Sequence, residues 1–487
     1  MSLQRITIIV AIILLGLCAW LAKAMTGFPS ALSPPEAQPA VTRIDNIRLI
    51  SMVPGAQEVQ EDQSVLVIDG EITAVGPSAS LATPDNLSTD DMQIINGAGR
   101  TLLPGLIDAH VHLWDEAELA GYLAYGVTTV RNMGGMPLHG DLIKRLEAGR
   151  ILGPDLATTG PILNSPGPNQ QNIHQIVSTA QEARAAVRAQ YAAGYHTLKV
   201  YSNLYREAYE AIRAEAERLD MTIVGHTPEG VRAKGVPHMR PFDIPFEEVL
   251  DDGFTTIEHV ESIVWHGLRD QLDEQMMRDL AGRIAQSGVV VTPTLIAHDN
   301  LVRVAKSDGA YLSRPGTQTL NPLVSRIEQG SYDFWSNADP QAREAPRAAF
   351  YLKATGMLHE AGVPVIAGTD AGIFTNIPGS SMTRELELLV EAGLTPYEAL
   401  AAASVTAGPA IGFADRGQIA PGYRANLILL AGDPLNDISL VERPSAVMIG
   451  GVWLDEEALA KLHKAARQTS TLRTARRLIV MLMANRL

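Results

Sequence analysis

The sequence predicts a (β/α)8 barrel inserted into a small β-sandwich domain that the two ends of the chain build together. Three observations predict it. Between Pro104 and about residue 412, short apolar strand patterns alternate with helical ones, giving eight β-α units. On both flanks, residues 41–103 and 413–455, the texture is β alone. Histidines, a lysine and an aspartate recur at the ends of the predicted barrel strands, which is where barrel active sites are built.

Taken in order, residues 6–22 are a nearly unbroken apolar run between Arg5 and Lys23, and Ala22-Lys23-Ala24 fits a small-residue cleavage site. Residues 1–25 are therefore expected to be a signal peptide or a membrane anchor, the run being close to the minimum length of a span. Export to the periplasm or the extracellular space is the expectation, with membrane association through this segment. The single cysteine, Cys18, lies inside the run. The rest of the chain can hold no disulfide, no thiolate ligand and no cysteine nucleophile. Residues 26–40 carry Pro29, Pro34, Pro35 and Pro39 and read as an extended linker.

The β patterns at 42–50, 64–68 and 71–76 follow, with Asp69-Gly70 as a tight turn between the last two. Barrel strands are predicted at 106–108, 127–130, 156–159, 197–200, 222–225, 255–258, 289–292 and 363–367. Clear helices fall at 181–193 and 205–219. Strands joined by crossover helices run parallel, and eight of them close a barrel over 104–412. The β runs 425–430 and 446–453 complete the first domain, so the barrel is an insertion. Residues 456–487 form a helical tail whose end is basic and apolar. Docking on the barrel is favoured over pairing with a partner or lying on an anionic membrane. The net charge of −15 and pI near 5.3 argue against nucleic acid as a partner.

The chemistry is carried by strand ends. In Leu-Pro-Gly-Leu-Ile-Asp-Ala-His-Val-His, residues 103–112, His110 and His112 are two apart and project to one face of a strand. Lys199 lies in the fourth strand, His226 and His259 end the fifth and sixth, and Asp370 follows the eighth in Gly-Thr-Asp-Ala-Gly. Each has an ordinary structural explanation when taken alone; six metal-competent or basic residues at five strand ends point to a metal site.

These motifs, with the closing Gly-Tyr-Arg-Ala-Asn-Leu-Ile-Leu-Leu, resemble the amidohydrolase superfamily over nearly everything from Val41 to Asp455. Among its branches the chain is similar to prolidase-like and imidazolonepropionase-like members. The lysine of the fourth strand favours the first, whose members resemble dipeptidases. The resemblance implies two divalent metals, with zinc the expected identity. His110, His112 and Asp370 would hold the first, and His226 and His259 the second. Lys199, carboxylated by CO2, would bridge them, because a carbamate offers two anionic oxygens where an amine offers none. A bridging water would then be hydroxide at neutral pH, with Asp370 moving its proton to the leaving amine.

For substrate binding, Tyr201 lies on the face of Lys199 and resembles a family tyrosine that bonds the substrate or an oxyanion. His174, in the loop after the third strand, and His238 and Arg240, in an irregular insert, are further candidates. Arg131-Asn132-Met133-Gly134 departs from the Arg-Asp-Met-Gly of relatives. The segment 300–339 is expected to form a lid. The reaction expected is hydrolysis of an amide in a small-molecule or dipeptide substrate by a homo-oligomer. Alternatives are a cyclic amide or lactone hydrolase or a deaminase on the same site, or a barrel that binds metal or ligand without turnover.

Overall fold

The computed structural model describes residues 24–35, 39–82, 92–231, 242–342 and 344–484. Strands β1 (Val41–Leu49), β2 (Gln60–Ile68) and β3 (Glu71–Pro77) form an antiparallel run. Asp69 and Gly70, at φ 49° and 81°, make the turn between β2 and β3, as a primed two-residue hairpin requires. β4 (Met92–Asn96) and β5 (Thr101–Pro104) both pair with β1 in parallel.

Gly105 carries the chain from β5 directly into the barrel. β6 (Leu106–Val111), β7 (Val127–Asn132) and β8 (Asp155–Thr158) are parallel neighbours. The loop after β8 holds a short pair, β9 (Leu163–Asn164) and β10 (Gln175–Ile176). β11 (Thr197–Val200), β12 (Thr222–Gly225), β13 (Phe254–Glu258) and β14 (Val290–Thr292) continue the parallel order. Main-chain bonds complete the ring. Gly160 N–H donates to Thr197 O at 2.9 Å, Ile366 N–H to Val291 O at 3.0 Å, and Ala109 N–H to Ala367 O at 2.9 Å. The last two place residues 364–367 between β14 and β6 as the eighth strand. Its ladder is broken because Pro364 has no N–H to give. Helices cover the strands; Ala180–Ala192, opened by a Thr179–Glu182 capping box, and Arg206–Arg218 match the predicted ones.

β15 (Leu427–Leu430) returns to pair antiparallel with β5, and β16 (Ala446–Ile449) and β17 (Val452–Leu454) follow it. Hydrogen bonds join the strands of both chain ends into one eight-stranded sheet, ordered β17-β16-β15-β5-β1-β2-β3 with β4 beside β1. Ile44, Ile47, Val65, Leu102, Leu427 and Met448 bury its shared core. The ends of the chain are thus fastened together through β5 and β15, and the barrel hangs from that seam.

Four expectations are corrected or sharpened. The run predicted as one strand at 446–453 is a hairpin, because Gly450 and Gly451 take positive φ and turn the chain back. The proline-rich stretch is not simply an extended linker: Leu32 is buried in the barrel core, its carbonyl accepts from Leu152 N–H at 2.7 Å, and the Phe28 ring lies under Arg145. Apolar side chains outweighed the proline signal there. Much of the 300–339 segment is helical, as Leu295–Lys306, Pro322–Ile327 and Gln329–Ser336. The tail forms helices Glu456–Ala465 and Thr471–Ala484, and both pack on the barrel. The apolar run 6–22 lies outside the described residues. Among the described residues no helix is long and apolar enough to cross a membrane.

The helix Ala117–Ala124 that follows β6 begins with a fully buried acid. Glu118 accepts from Trp114 N–H at 2.9 Å, but burial pushes its carboxyl up to about 8, against 4.5 when unfolded. A folded pKa above the unfolded one gives stability that is complete below about 4.5 and lost as the pH rises through about 8. Glu118→Gln is therefore expected to flatten the decline of the melting temperature across that window. Parallel melting curves for parent and variant would refute the assignment.

Candidate active site

β6 alternates, so Asp108, His110 and His112 share the face that looks into the barrel. Asp108 is the base of the site. Its carboxylate accepts from Thr369 N–H at 3.0 Å and Thr369 Oγ1–H at 2.6 Å, which ties the Gly-Thr-Asp turn to β6. Asn376 Nδ2 donates to Thr369 O at 2.9 Å and so holds the turn from the other side. Asp370 consequently sits at φ 55° with its side chain over the two histidines. Gly372 is required beside it, since a Cβ there would fall 2.0 Å from His112 O. His259 at φ 68° and Thr294 at φ 48° are also left-handed; such strain of about 1–3 kcal/mol per residue persists where surrounding structure imposes it, and it gathers at functional sites.

Every metal-competent imidazole but one has its second nitrogen occupied. His110 Nδ1 donates to Glu258 Oε2 at 2.7 Å, and Glu258 is held in turn by Arg131 at 2.7 Å. Arg131 also donates to Ala109 O at 2.7 Å and Thr256 Oγ1 at 3.0 Å. His226 Nδ1 pairs with Ser262 Oγ at 2.7 Å, and His259 Nδ1 with Thr294 Oγ1 at 2.6 Å. Outer partners of this kind fix the ring and leave Nε2 for a metal. Burial, followed by the neighbouring Lys199 or a neighbouring histidine, holds His110 and His226 well below the usual imidazole range. Burial lowers His112 and His259 too. The rings are neutral near pH 7, as ligands must be.

The Nε2 atoms of His110 and His112 lie 3.3 and 3.1 Å from Asp370 Oδ1. Ligands at about 2.0–2.1 Å around a tetrahedral ion stand about 3.3 Å apart, so these three atoms have the spacing of an ion's edge. They are the one cluster of three or more acid, histidine or cysteine ligands among the described residues. Asp370 Oδ1 is buried and has no hydrogen bond, an expensive arrangement unless a cation meets it. Burial alone would raise this carboxyl, but the neighbouring His112, His259 and Lys199 outweigh it and bring it down to about 2.

Lys199, 1% exposed, places Nζ 3.1 Å from His110 Nε2. Burial pushes its amine down to about 8. The aromatic rings then run in one belt. His110 and His259 are 4.6 Å apart, His259 and His226 4.5 Å, His226 and Tyr201 4.0 Å, and Tyr201 and His174 4.6 Å. The fold thus brings His110, His112, Lys199, His226, His259, Asp370, Tyr201 and His174 together. His174 is buried rather than on the surface. Its Nδ1 faces Asn164 Nδ2 at 3.1 Å, its Nε2 has no partner, and burial lowers it to about 3. His238 and Arg240 lie outside the described residues. Asn132 is structural: its Oδ1 accepts from Leu113 N–H at 2.9 Å and its Nδ2 donates to Thr158 Oγ1 at 3.0 Å.

The sequence reading missed Asp108, Arg131, Glu258, Ser262, Thr294 and Thr369. For Asp108 the signal was present, because it shares the parity of His110 and His112 along one strand. Arg131 and Thr369 lie inside the Arg-Asn-Met-Gly and Gly-Thr-Asp-Ala-Gly motifs, whereas Glu258, Ser262 and Thr294 act through contacts that no local pattern marks.

With this geometry in place the comparisons are decisive. The description of the Amidohydrolase family matches residues 101–454. The chain belongs to the amidohydrolase family. Imidazolonepropionase of Deinococcus deserti is 24% identical over 429 residues, spanning 83% of this chain and 96% of the relative. The solved bottromycin amidohydrolase superposes with a TM-score of 0.70 at 24% identity, covering 92% of this chain and 96% of that one. A Xaa-Pro dipeptidase with methionine in its active site superposes at 0.62 and 20% identity, covering 85% and 100%. At these identities the superpositions establish the fold alone. As an amidohydrolase this protein is a TIM-barrel hydrolase acting on C–N bonds, in a family that generally binds divalent metal.

Proposed function

We propose that this amidohydrolase is a binuclear, zinc-dependent dipeptidase of the prolidase type. The observation that carries the reading is Lys199. It is buried, its amine is pushed towards neutrality, and its Nζ stands 3.1 Å from His110 Nε2. A neutral amine can add CO2 at its nitrogen and release a proton, and the resulting carbamate would offer two anionic oxygens as ligands. His110, His112 and Asp370 would hold one ion and His226 and His259 the other. When bound, the ions supply Lewis acidity and acidify a water. Asp370 takes the proton at its carboxylate and returns it to the leaving nitrogen. The Tyr201 hydroxyl, kept protonated by burial, donates towards the developing oxyanion, and His174 Nε2 faces the substrate.

The test is a panel of dipeptides, N-acyl amino acids, cyclic amides, lactones and amino-heterocycles, assayed with metal content measured on the same preparation. Turnover of dipeptides above the rest is expected. A second reading, cyclic amide hydrolysis at a single ion, is favoured by the imidazolonepropionase relatives and would be selected by cyclic amide turnover with Lys199 unmodified. A metal-loaded protein inert across the panel would leave a binding barrel. Tyr201→Phe is expected to lower kcat about 100-fold, the loss usual for one oxyanion donor. A rise in KM with unchanged kcat would move Tyr201 from oxyanion to substrate binding.

A further inference from the structure

The family match ends at residue 454, yet the last described helix, Thr471–Ala484, comes back to the loop that follows the first metal ligands. Arg473 donates to both oxygens of Asp115, from Nε at 3.0 Å and Nη2 at 2.8 Å, and Ser470 N–H donates to the same carboxylate at 3.0 Å. Arg477 donates to Trp114 O at 2.9 Å and pairs with Glu116, which Arg145 also holds at 3.3 Å. Asp115 is 0% exposed and both arginines are below a tenth. Met481 is buried in one cluster with Trp114, Met136 and Val324.

The residues gripped are placed to pass the constraint on. Trp114 lies nearly parallel to the His112 ring, 6.3 Å away at 18°. Its indole N–H donates to Gly372 O at 3.0 Å, two residues past Asp370. His112 N–H donates to Ala371 O at 2.7 Å. Trp114 therefore touches both chain segments that carry the trio His110, His112 and Asp370. A bidentate arginine–carboxylate pair fixes direction as well as distance, and deleting one partner leaves a buried charge that must move or hydrate.

We infer that the C-terminal helix is a positioning clamp for the metal centre, acting from Arg473 and Arg477 through Asp115, Glu116 and Trp114 onto His112 and Gly372. The inference rests on the metal-centre reading given above. Arg473 and Arg477 touch neither substrate nor ion; they set where His112 and Asp370 stand.

The test uses the full chain loaded with Co(II), whose visible absorption reports ligand geometry, and a competing chelator. Arg473→Ala, Arg477→Ala, the double variant, Trp114→Phe and Arg477→Lys are compared with the parent. Arg188→Ala, which breaks an ion pair to Glu215 on the outer helices, is the control. Expected are about a tenfold or greater loss of Co(II) affinity in the double variant and an altered absorption spectrum. Trp114→Phe should fall between double variant and parent, Arg477→Lys should recover part of the affinity, and Arg188→Ala should match the parent. If the double variant does not fold, the single variants and Trp114→Phe decide the matter. Lower melting temperatures with affinity and spectrum unchanged would overturn the clamp and leave a purely structural helix. A parent that binds no Co(II) would overturn the metal-centre reading first, and the clamp with it.

Discussion

Lys199→Ala is expected to lower the metal content of protein purified with bicarbonate from two equivalents per chain towards one, and activity by at least about 100-fold. Lys199 stands beside His110 and as a carbamate would offer an anionic bridge, whereas alanine offers no ligand. The same reading fixes a pH dependence. Carbamate forms from the neutral amine, so a lowered pKa brings that form within reach of neutral pH. At a fixed concentration of dissolved CO2, activation of the parent should speed up as the pH rises and level off above about 8. Metal content unchanged in the variant would remove Lys199 from the ligand set and turn the search to a mononuclear site and cyclic amides. Atomic absorption on parent and variant, prepared side by side, decides between them.

Asp370→Asn is expected to lower kcat by about 10²–10⁴, the usual worth of a positioned acid–base group, with the fold intact. The turn that carries residue 370 is held by Asp108, Thr369 and Asn376 rather than by the Asp370 carboxylate itself. Asparagine keeps the shape and loses the site that accepts the proton. His110 and His112 remain, so some metal should be retained, at lower affinity. Steady-state kinetics on the best substrate of the panel, with metal content measured alongside, separate loss of proton transfer from loss of metal. A kcat equal to the parent's would end the general-base assignment.

Much of the candidate site was legible because its side chains lie at strand ends, and strand ends are marked by local pattern. An apolar run followed by His, Lys or Asp is visible along one stretch of chain, and the alternation of β6 states which residues share a face. The hairpin at Asp69-Gly70 was legible for the same reason, since that turn conformation favours those residues. The reading faltered where two local signals competed. Proline suggested a linker at residues 26–40, but Leu32 found an apolar core to enter. An apolar run suggested one strand at 446–453, but Gly450-Gly451 divides it.

By itself, then, the sequence determined the barrel, its insertion between two β segments, and which polar side chains end the barrel strands, because period and turn chemistry are local properties. Only the tertiary structure decided which partners orient those ligands. Glu258 reaches His110 across the barrel with Arg131 holding its other oxygen, Asp108 reaches Thr369 from 261 positions away, and Arg473 reaches Asp115 from 358. His174, a substrate-binding candidate by sequence, likewise owes its buried place beside Tyr201 to the fold. Such pairs depend on how the strands close and where the tail returns. No window along the chain contains both partners.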